Sequence, residues 1–320
     1  MKIFIALIAA AIAQAAFAQD LKVVSESTVT GFPFPESVGC DAKAKMLYVS
    51  QFVSALKPAE KDGKGRISKV GLDGKMIEEQ FLPAPGAPAL NKPKGIWVAG
   101  DRLWVTDIDV VWVFDTKTRK GRRLELTGAQ FANDPAVKGK TLYVSDNRAD
   151  AIFKVEPANF LNAKTEPKVT RVASGQSINP NGLYPARDGS ILMVGFAPDQ
   201  TRGIYALGAD GKVKVLAKDL GRLDGVYEAK DGTLLVTDWA SGTLFAWSAK
   251  GGKRTLASGF KGPADFCVMP EKDGIEWTAG YCTAMLSSWV PDLRHLAVSP
   301  PPFAAPGSFS ASQRPRLSTS

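Results

Sequence analysis

One pattern recurs along this chain and limits what it can fold into. It reads as a short apolar strand, a tight turn, a second short strand ending near an acidic or small residue, and a further turn. The fullest copy runs from Leu223 to Trp239, with Asp231-Gly232 as a two-residue hairpin signal and Leu234-Leu235-Val236 as a strand covered on both faces. Ser241-Gly242 turns the chain again, and Leu244, Ala246 and Trp247 begin another strand. Further copies run from Ile96 to Asp107, from Pro135 to Asp146 and from Asn181 to Gly195. An earlier one ends at Met46-Leu47-Tyr48-Val49-Ser50, and a last one begins at Pro263. The anchors Asp107, Asp146, Gly195 and Asp238 stand 39, 49 and 43 residues apart. A period of roughly 40–50 residues with several short strands per repeat predicts β-propeller blades, and six copies predict an all-β, six-bladed ring.

The chain opens with Lys2, an apolar run from Ile3 to Ala13, and Ala16-Phe17-Ala18 before Gln19. This arrangement predicts a secretory signal peptide over residues 1–18, and hence a periplasmic or secreted protein with no membrane attachment after cleavage. The propeller is expected over 19–290 as one domain. The net charge is +8, but many lysines sit in hairpin turns such as Asp73-Gly74-Lys75 and Asp210-Gly211-Lys212. Lysines so placed read as solvated blade edges that discourage edge pairing, so no nucleic-acid partner is expected and a monomer is.

Cys40 and Cys267 occupy equivalent first strands of blades one and six, which are neighbours in a closed ring; a disulfide and two buried thiols both remain open. The repeat fails after Gly274, where Ile275-Glu276-Trp277-Thr278 replaces the strand that is due. Residues 299–320 are rich in Pro, Ser, Ala and Arg. The last blade is therefore expected to be incomplete or aberrant, with 291–320 as a disordered tail; the segment after Gly274 derives from a shifted reading frame or forms an unusual native terminus. Val23 to Thr30 could supply one closing strand.

Four polar residues mark the starts of first strands, where chains approach the central channel. They are Glu36 in blade one, Asn133 in blade three, Asn181 in blade four and Asp224 in blade five. Repeat symmetry sets them at one level around one axis. Carboxylates and amide carbonyls are hard oxygen ligands that suit calcium better than a soft metal. Taken singly, Asn133, Asn181 and Asp224 could be turn residues that cap strand entries, and Glu36 an exposed loop carboxylate. Asp107, Asp146 and Asp238 recur at the ends of second strands and read as turn residues of the repeat. Trp97, Trp104, Trp112, Trp239 and Trp247 read as inter-blade contacts.

Over roughly Glu36 to Gly274 the chain resembles the SMP-30/gluconolactonase/LRE-like (regucalcin-type) six-bladed propellers. The resemblance rests on Glu36-Ser37, Asn133-Asp134, Asn181-Gly182 and Asp224-Gly225, in order and in blade. It implies a divalent-cation site, with Ca²⁺ expected, made by Glu36, Asn181 and Asp224 and lined or completed by Asn133. The family's sugar-lactone members carry Arg two residues before the Asn-Asp pair; here that position is Phe131. Asn133 and Phe131 are thus the expected substrate contacts. The single histidine, His295, excludes a histidine pair, and no phosphate-cradling Gly-x-x-x-x-Gly-Lys run occurs. Two functions follow as expectations. One is a calcium-dependent hydrolase of a lactone or related small-molecule ester, with the metal polarising the carbonyl and Asp224 as catalytic proton acceptor. The other is a non-catalytic exported propeller that binds a small ligand or a protein.

Overall fold

A computed structural model describes residues 22–269, 279–285 and 292–299, with side chains from 28 to 269. The chain is an all-β propeller. Strand β1 (Lys22–Thr30) precedes five blades of four consecutive antiparallel strands each. Blade one is β2 (Pro35–Asp41), β3 (Met46–Gln51), β4 (Arg66–Gly71) and β5 (Met76–Leu82). Blade two is β6 (Pro93–Ala99), β7 (Arg102–Asp107), β8 (Val110–Asp115) and β9 (Gly121–Glu125). Blade three is β10 (Ala132–Lys138), β11 (Thr141–Asp146), β12 (Ala151–Glu156) and β13 (Lys168–Val172). Blade four is β14 (Pro180–Pro185), β15 (Ile191–Gly195), β16 (Arg202–Leu207) and β17 (Val213–Gly221). Blade five is β18 (Leu223–Glu228), β19 (Leu234–Asp238), β20 (Thr243–Ser248) and β21 (Gly252–Ser258). After β22 (Pro263–Met269) come β23 (Ala279–Met285) and β24 (Asp292–Ser299).

The predicted break after Gly274 does not end the strand pattern. The backbone of β23 and β24 joins β22 and β1 in a sheet ordered β1-β24-β23-β22, so the first and last described strands pair there. Backbone groups pair whatever the side chains are, which lets a stretch without the repeat's residues still form ladder strands. The expected signal segment 1–18, the stretch 270–278 with its pattern break, and residues 300–320 of the expected tail lie outside the described residues.

Local chemistry explains the regularity. In four hairpins an Asp-Gly pair turns the chain, and the Asp carboxylate accepts the N–H two residues on. The distances are 3.1 Å for Lys75 on Asp73, 2.8 Å for Ser190 on Asp188, 3.0 Å for Lys212 on Asp210 and 2.9 Å for Thr233 on Asp231. The Asp231-Gly232 turn is longer than the two residues predicted, because it closes between the Ala229 N–H and the Thr233 carbonyl at 2.8 Å. The apolar core lies between blades. Tyr48, Ile67 and Phe81 of blade one meet Leu103, Val105 and Trp112 of blade two, and Trp104 and Val113 meet Leu142 and Phe153 of blade three. Cys40 on β2 and Cys267 on β22 form a disulfide with Cα atoms 5.7 Å apart, which covalently joins the first blade to the last sheet.

The innermost strands share one irregularity that builds the channel. β2, β6, β10, β14, β18 and β22 each shift register against the second strand between their first and fourth residues. The skipped second and third residues are thereby released from the ladder. The second positions are Glu36, Lys94, Asn133, Asn181, Asp224 and Ala264; the third are Ser37, Gly95, Asp134, Gly182, Gly225 and Asp265.

Candidate functional site

The second positions face one mouth of the channel, and four of the six form the floor of a pocket there. Glu36, Asn133, Asn181 and Asp224 all line it, together with Phe131, so every residue the sequence singled out is brought to one place. All are buried, with exposures of 9% or less. The cavity is about 350 Å³.

Three of the floor positions, those of Lys94, Asn133 and Asp224, are held by the repeat itself. A carboxylate at the end of the second strand accepts backbone N–H groups just ahead of the floor position. Asp107 accepts from Asn91 and Lys92 at 2.8 Å each, Asp146 from Gln130 at 2.6 Å and Phe131 at 2.8 Å, and Asp238 from Arg222 at 3.2 Å. These aspartates are turn residues of the repeat, as their recurrence suggests. A hydroxyl one residue earlier stitches neighbouring blades at the carbonyl of the next floor position. Thr106 donates to Asn133, Ser145 to Asn181 at 2.5 Å and Thr237 to Ala264 at 2.8 Å. Glycine at the third position allows that approach; a Cβ on Gly182 would stand 2.0 Å from the Asp224 carbonyl oxygen.

The floor is electrostatically loaded. Burial, followed by repulsion from Asp224, pushes the Glu36 carboxyl well above its ordinary range, although Lys94 opposes this. Burial and Asp265 do the same to Asp224. Asp134 is raised well above its ordinary value by burial and Asp265, and Asp265 itself is raised by burial to about 6. Two oxygens carry the clearest signal: Glu36 Oε2 and Asn181 Oδ1 are buried and have no hydrogen-bond partner. The Asn181 amide nitrogen is committed to the Leu223 carbonyl at 3.4 Å, so its oxygen is the end left over. A buried acceptor left unpaired costs about 1–3 kcal/mol, and more when charged, so the floor is set up to receive a donor or a cation. Among the described residues no three His, Cys, Asp or Glu are placed to hold a metal; the floor instead combines two carboxylates with two amides.

No known family model matches this chain, and no curated protein matches it. Solved structures match its fold. A gluconolactonase from Xanthomonas campestris superposes with a TM-score of 0.60 at 14% identity, over 87% of this chain and 91% of its own. A luciferin-regenerating enzyme gives 0.60 at 11%, over 86% and 97%. A catalytically inactive virginiamycin B lyase from Staphylococcus aureus gives 0.56 at 16%, over 85% and 99%. Those names carry three different activities, and at such identities the likeness establishes the propeller and no more.

Sequence reasoning missed Lys94. It stands at the floor position of blade two, in Pro93-Lys94-Gly95-Ile96, and the same register that yields Glu36 and Asn181 would have found it. Its side chain is wholly buried. The ammonium lies 4.2 Å from the Phe131 ring centroid and 5.8 Å from that of Phe52, and it donates to the Lys92 carbonyl at 3.3 Å. Burial lowers its pKa to about 8, against the pull of Glu36. Trp239 makes the contact between blades expected of it, on Phe196, and reaches the pocket as well. It is half-buried on the pocket wall with its ring 5.8 Å from that of Phe196, because the residues after β3, β11, β15 and β19 turn toward the mouth.

Proposed function

We propose that this pocket is the active site of a divalent-cation-dependent hydrolase of a lactone or related ester, in a six-bladed propeller of the SMP-30/gluconolactonase-like kind whose sixth blade is the sheet β1-β24-β23-β22. The observation that carries the proposal is the pair of orphaned buried oxygens on Glu36 and Asn181, beside Asn133 and Asp224. This donor set fits a hard cation: all four side chains offer oxygen, two are carboxyls that ionise when a cation takes the place of their protons, and two of the oxygens lack any other partner. Glu36, Asn181 and Asp224 would hold the ion, with Asn133 completing the set. When bound, the cation supplies charge stabilisation for a carbonyl oxygen that becomes anionic.

The chain's own residues do the rest. Asp224, at the floor beside Asn181, takes a proton from the attacking water as that oxygen adds to the carbonyl carbon. Collapse of the tetrahedral adduct breaks the ring C–O bond, and the same proton passes to the departing alkoxide, leaving a hydroxy acid. The Asn133 amide orients the substrate, and the walls exclude water. Export, a signal peptide over 1–18, calcium as the physiological ion and a monomeric state belong to the same proposal. The inter-blade disulfide supports an oxidising compartment. A second reading, a propeller that binds its ligand without turning it over, is favoured by Lys94, whose buried ammonium already offsets the Glu36 charge without a metal. Lactone hydrolysis followed with Ca²⁺, with Mn²⁺ and after chelation decides between them. The hydrolase reading expects turnover that chelation abolishes and cation restores; the absence of turnover under every condition would establish the binding reading.

A further inference from the structure

The acids of this pocket are confined to its floor, while its wall is mainly apolar, with Asn147, Asn179 and Arg148 as the polar exceptions. The floor is supplied by inner strands and is made of acids and amides. Much of the wall is supplied by loops and is apolar: Phe52, Leu56, Phe131, Phe196 and Trp239. A polyhydroxylated ligand presents donors and acceptors on every side, and each hydroxyl buried against a ring without a partner costs free energy. Walls of this kind are suited to a ligand whose body is apolar and whose polar end meets the floor.

The apolar wall is built in advance. The connector 52–65 between β3 and β4 is tied down by Lys92, whose side chain is wholly buried. Its Nζ donates to the Phe52 carbonyl at 3.2 Å, to Ser54 Oγ at 2.7 Å and to Asp62 Oδ2 at 2.6 Å. Burial would raise the Asp62 carboxyl, but hydrogen bonds from Lys92 and Ser54 outweigh it and hold it at about 2. Gly63 N–H adds a bond to Asn91 Oδ1 at 3.1 Å. Leu56 is nevertheless 41% exposed at this fixed position on the pocket. An apolar side chain held in water beside a cavity is what a ligand would cover.

One wall residue is charged. Arg148 lines the pocket and is exposed, and its guanidinium carbon sits 4.2 Å from the Phe131 ring centroid. Its backbone is fixed by Asp146 at 3.1 Å, yet among the described residues its guanidinium forms no ion pair. An exposed guanidinium without an ion pair, seated over an aromatic wall, matches a carboxylate on an aromatic or alkyl frame.

We propose that the pocket takes an ester or lactone with an apolar body and a carboxylate, with Phe131 and Trp239 receiving the body and Arg148 the carboxylate; this names the substrate class of the hydrolase proposed above and rests on that reading. The test compares dihydrocoumarin, its 6-carboxylate and glucono-δ-lactone as substrates, and the lactam analogue of the 6-carboxylate, which cannot be hydrolysed, as a binding probe in calorimetry. The expected order of kcat/KM is carboxylate, then dihydrocoumarin, then gluconolactone. Arg148→Ala is expected to lower the ratio of the first to the second about tenfold and to weaken lactam binding by a similar factor. Lactam binding that depends on Arg148, without turnover of any lactone, sustains the ligand class and overturns only the hydrolase reading. Preference for gluconolactone, or a lactam that does not bind, overturns the ligand class itself.

Discussion

The two mouths of the channel are made by the same six inner strands and differ in nearly every chemical respect. At one, the released second residues leave oxygen acceptors without partners under a loop-built apolar wall. At the other, a cavity of about 190 Å³ is lined by Trp97, Tyr184, Tyr227 and the Cys40–Cys267 disulfide. Its two acids are committed. Asp134 accepts the Leu183 N–H at 2.7 Å, and Asp265 accepts the Ser37 hydroxyl at 2.6 Å and the Phe266 N–H at 2.7 Å. Tyr184 and Tyr227 meet edge to face at 4.9 Å between centroids. A one-residue step along each strand thus separates groups that await a ligand from groups that hold neighbouring blades together. Burial alone does not mark a functional acid, since all four carboxylates are raised by it; the bonds that commit Asp134 and Asp265, against the unpartnered Glu36 Oε2, tell the two mouths apart.

The sharpest contrast is between Asp224 and Asp134. Asp224→Ala is expected to reduce lactone turnover about hundredfold or more while leaving folding stability little changed, because it removes a buried acid that repels its neighbours. Asp134→Ala orphans a buried N–H and is expected to lower stability by about 1–3 kcal/mol, with activity per folded molecule retained. Steady-state kinetics and denaturant unfolding on the two variants measure both; equal loss of activity would break the distinction between the mouths.

Next in size is the covalent closure. Cys40→Ser opens a link spanning 227 residues and is expected to cost about 2–4 kcal/mol, read as a lower unfolding midpoint, without altering the response to added cation. A variant as stable as the parent would show that the β1-β24-β23-β22 sheet closes the ring unaided.

A smaller effect is expected in the pH profile. Asp265, raised to about 6, keeps its proton in the folded protein where the unfolded chain has lost it. Stability should therefore fall as pH rises from about 4 to about 6, with Glu36, Asp134 and Asp224 pushing in the same direction. Thermal melts across this window should flatten when a divalent cation is present; a stability that rises with pH through it would contradict the burial of these acids as carboxyls.

The period of the repeat made the propeller legible, and its register made Glu36, Asn133, Asn181 and Asp224 legible as neighbours, because ladder geometry repeats whatever the residue. The same equivalence set Cys40 beside Cys267 across the closure. The end of the chain was illegible as a sheet because β23 and β24 lack the repeat's turn and anchor residues. Lys94 was overlooked because a lysine beside a proline reads as surface until the register shows it pointing inward. The apolar wall was hidden for another reason: Phe52, Phe196 and Trp239 follow the second strands, where an aromatic residue looks like core until loop geometry turns it to the mouth.

The central claim, that four oxygen-bearing side chains at one mouth form a cation site, is tested most directly by the melting temperature of the protein titrated with Ca²⁺ and with Mn²⁺, beside the variants Glu36→Gln and Asn181→Leu. A cation that binds only the folded state stabilises it by about 2.7 kcal/mol at a hundred times its dissociation constant. The account predicts a melting temperature that climbs with cation concentration in the parent and stays flat in both variants. A parent that melts at the same temperature in chelator and in millimolar cation, or variants that respond as the parent does, would contradict it.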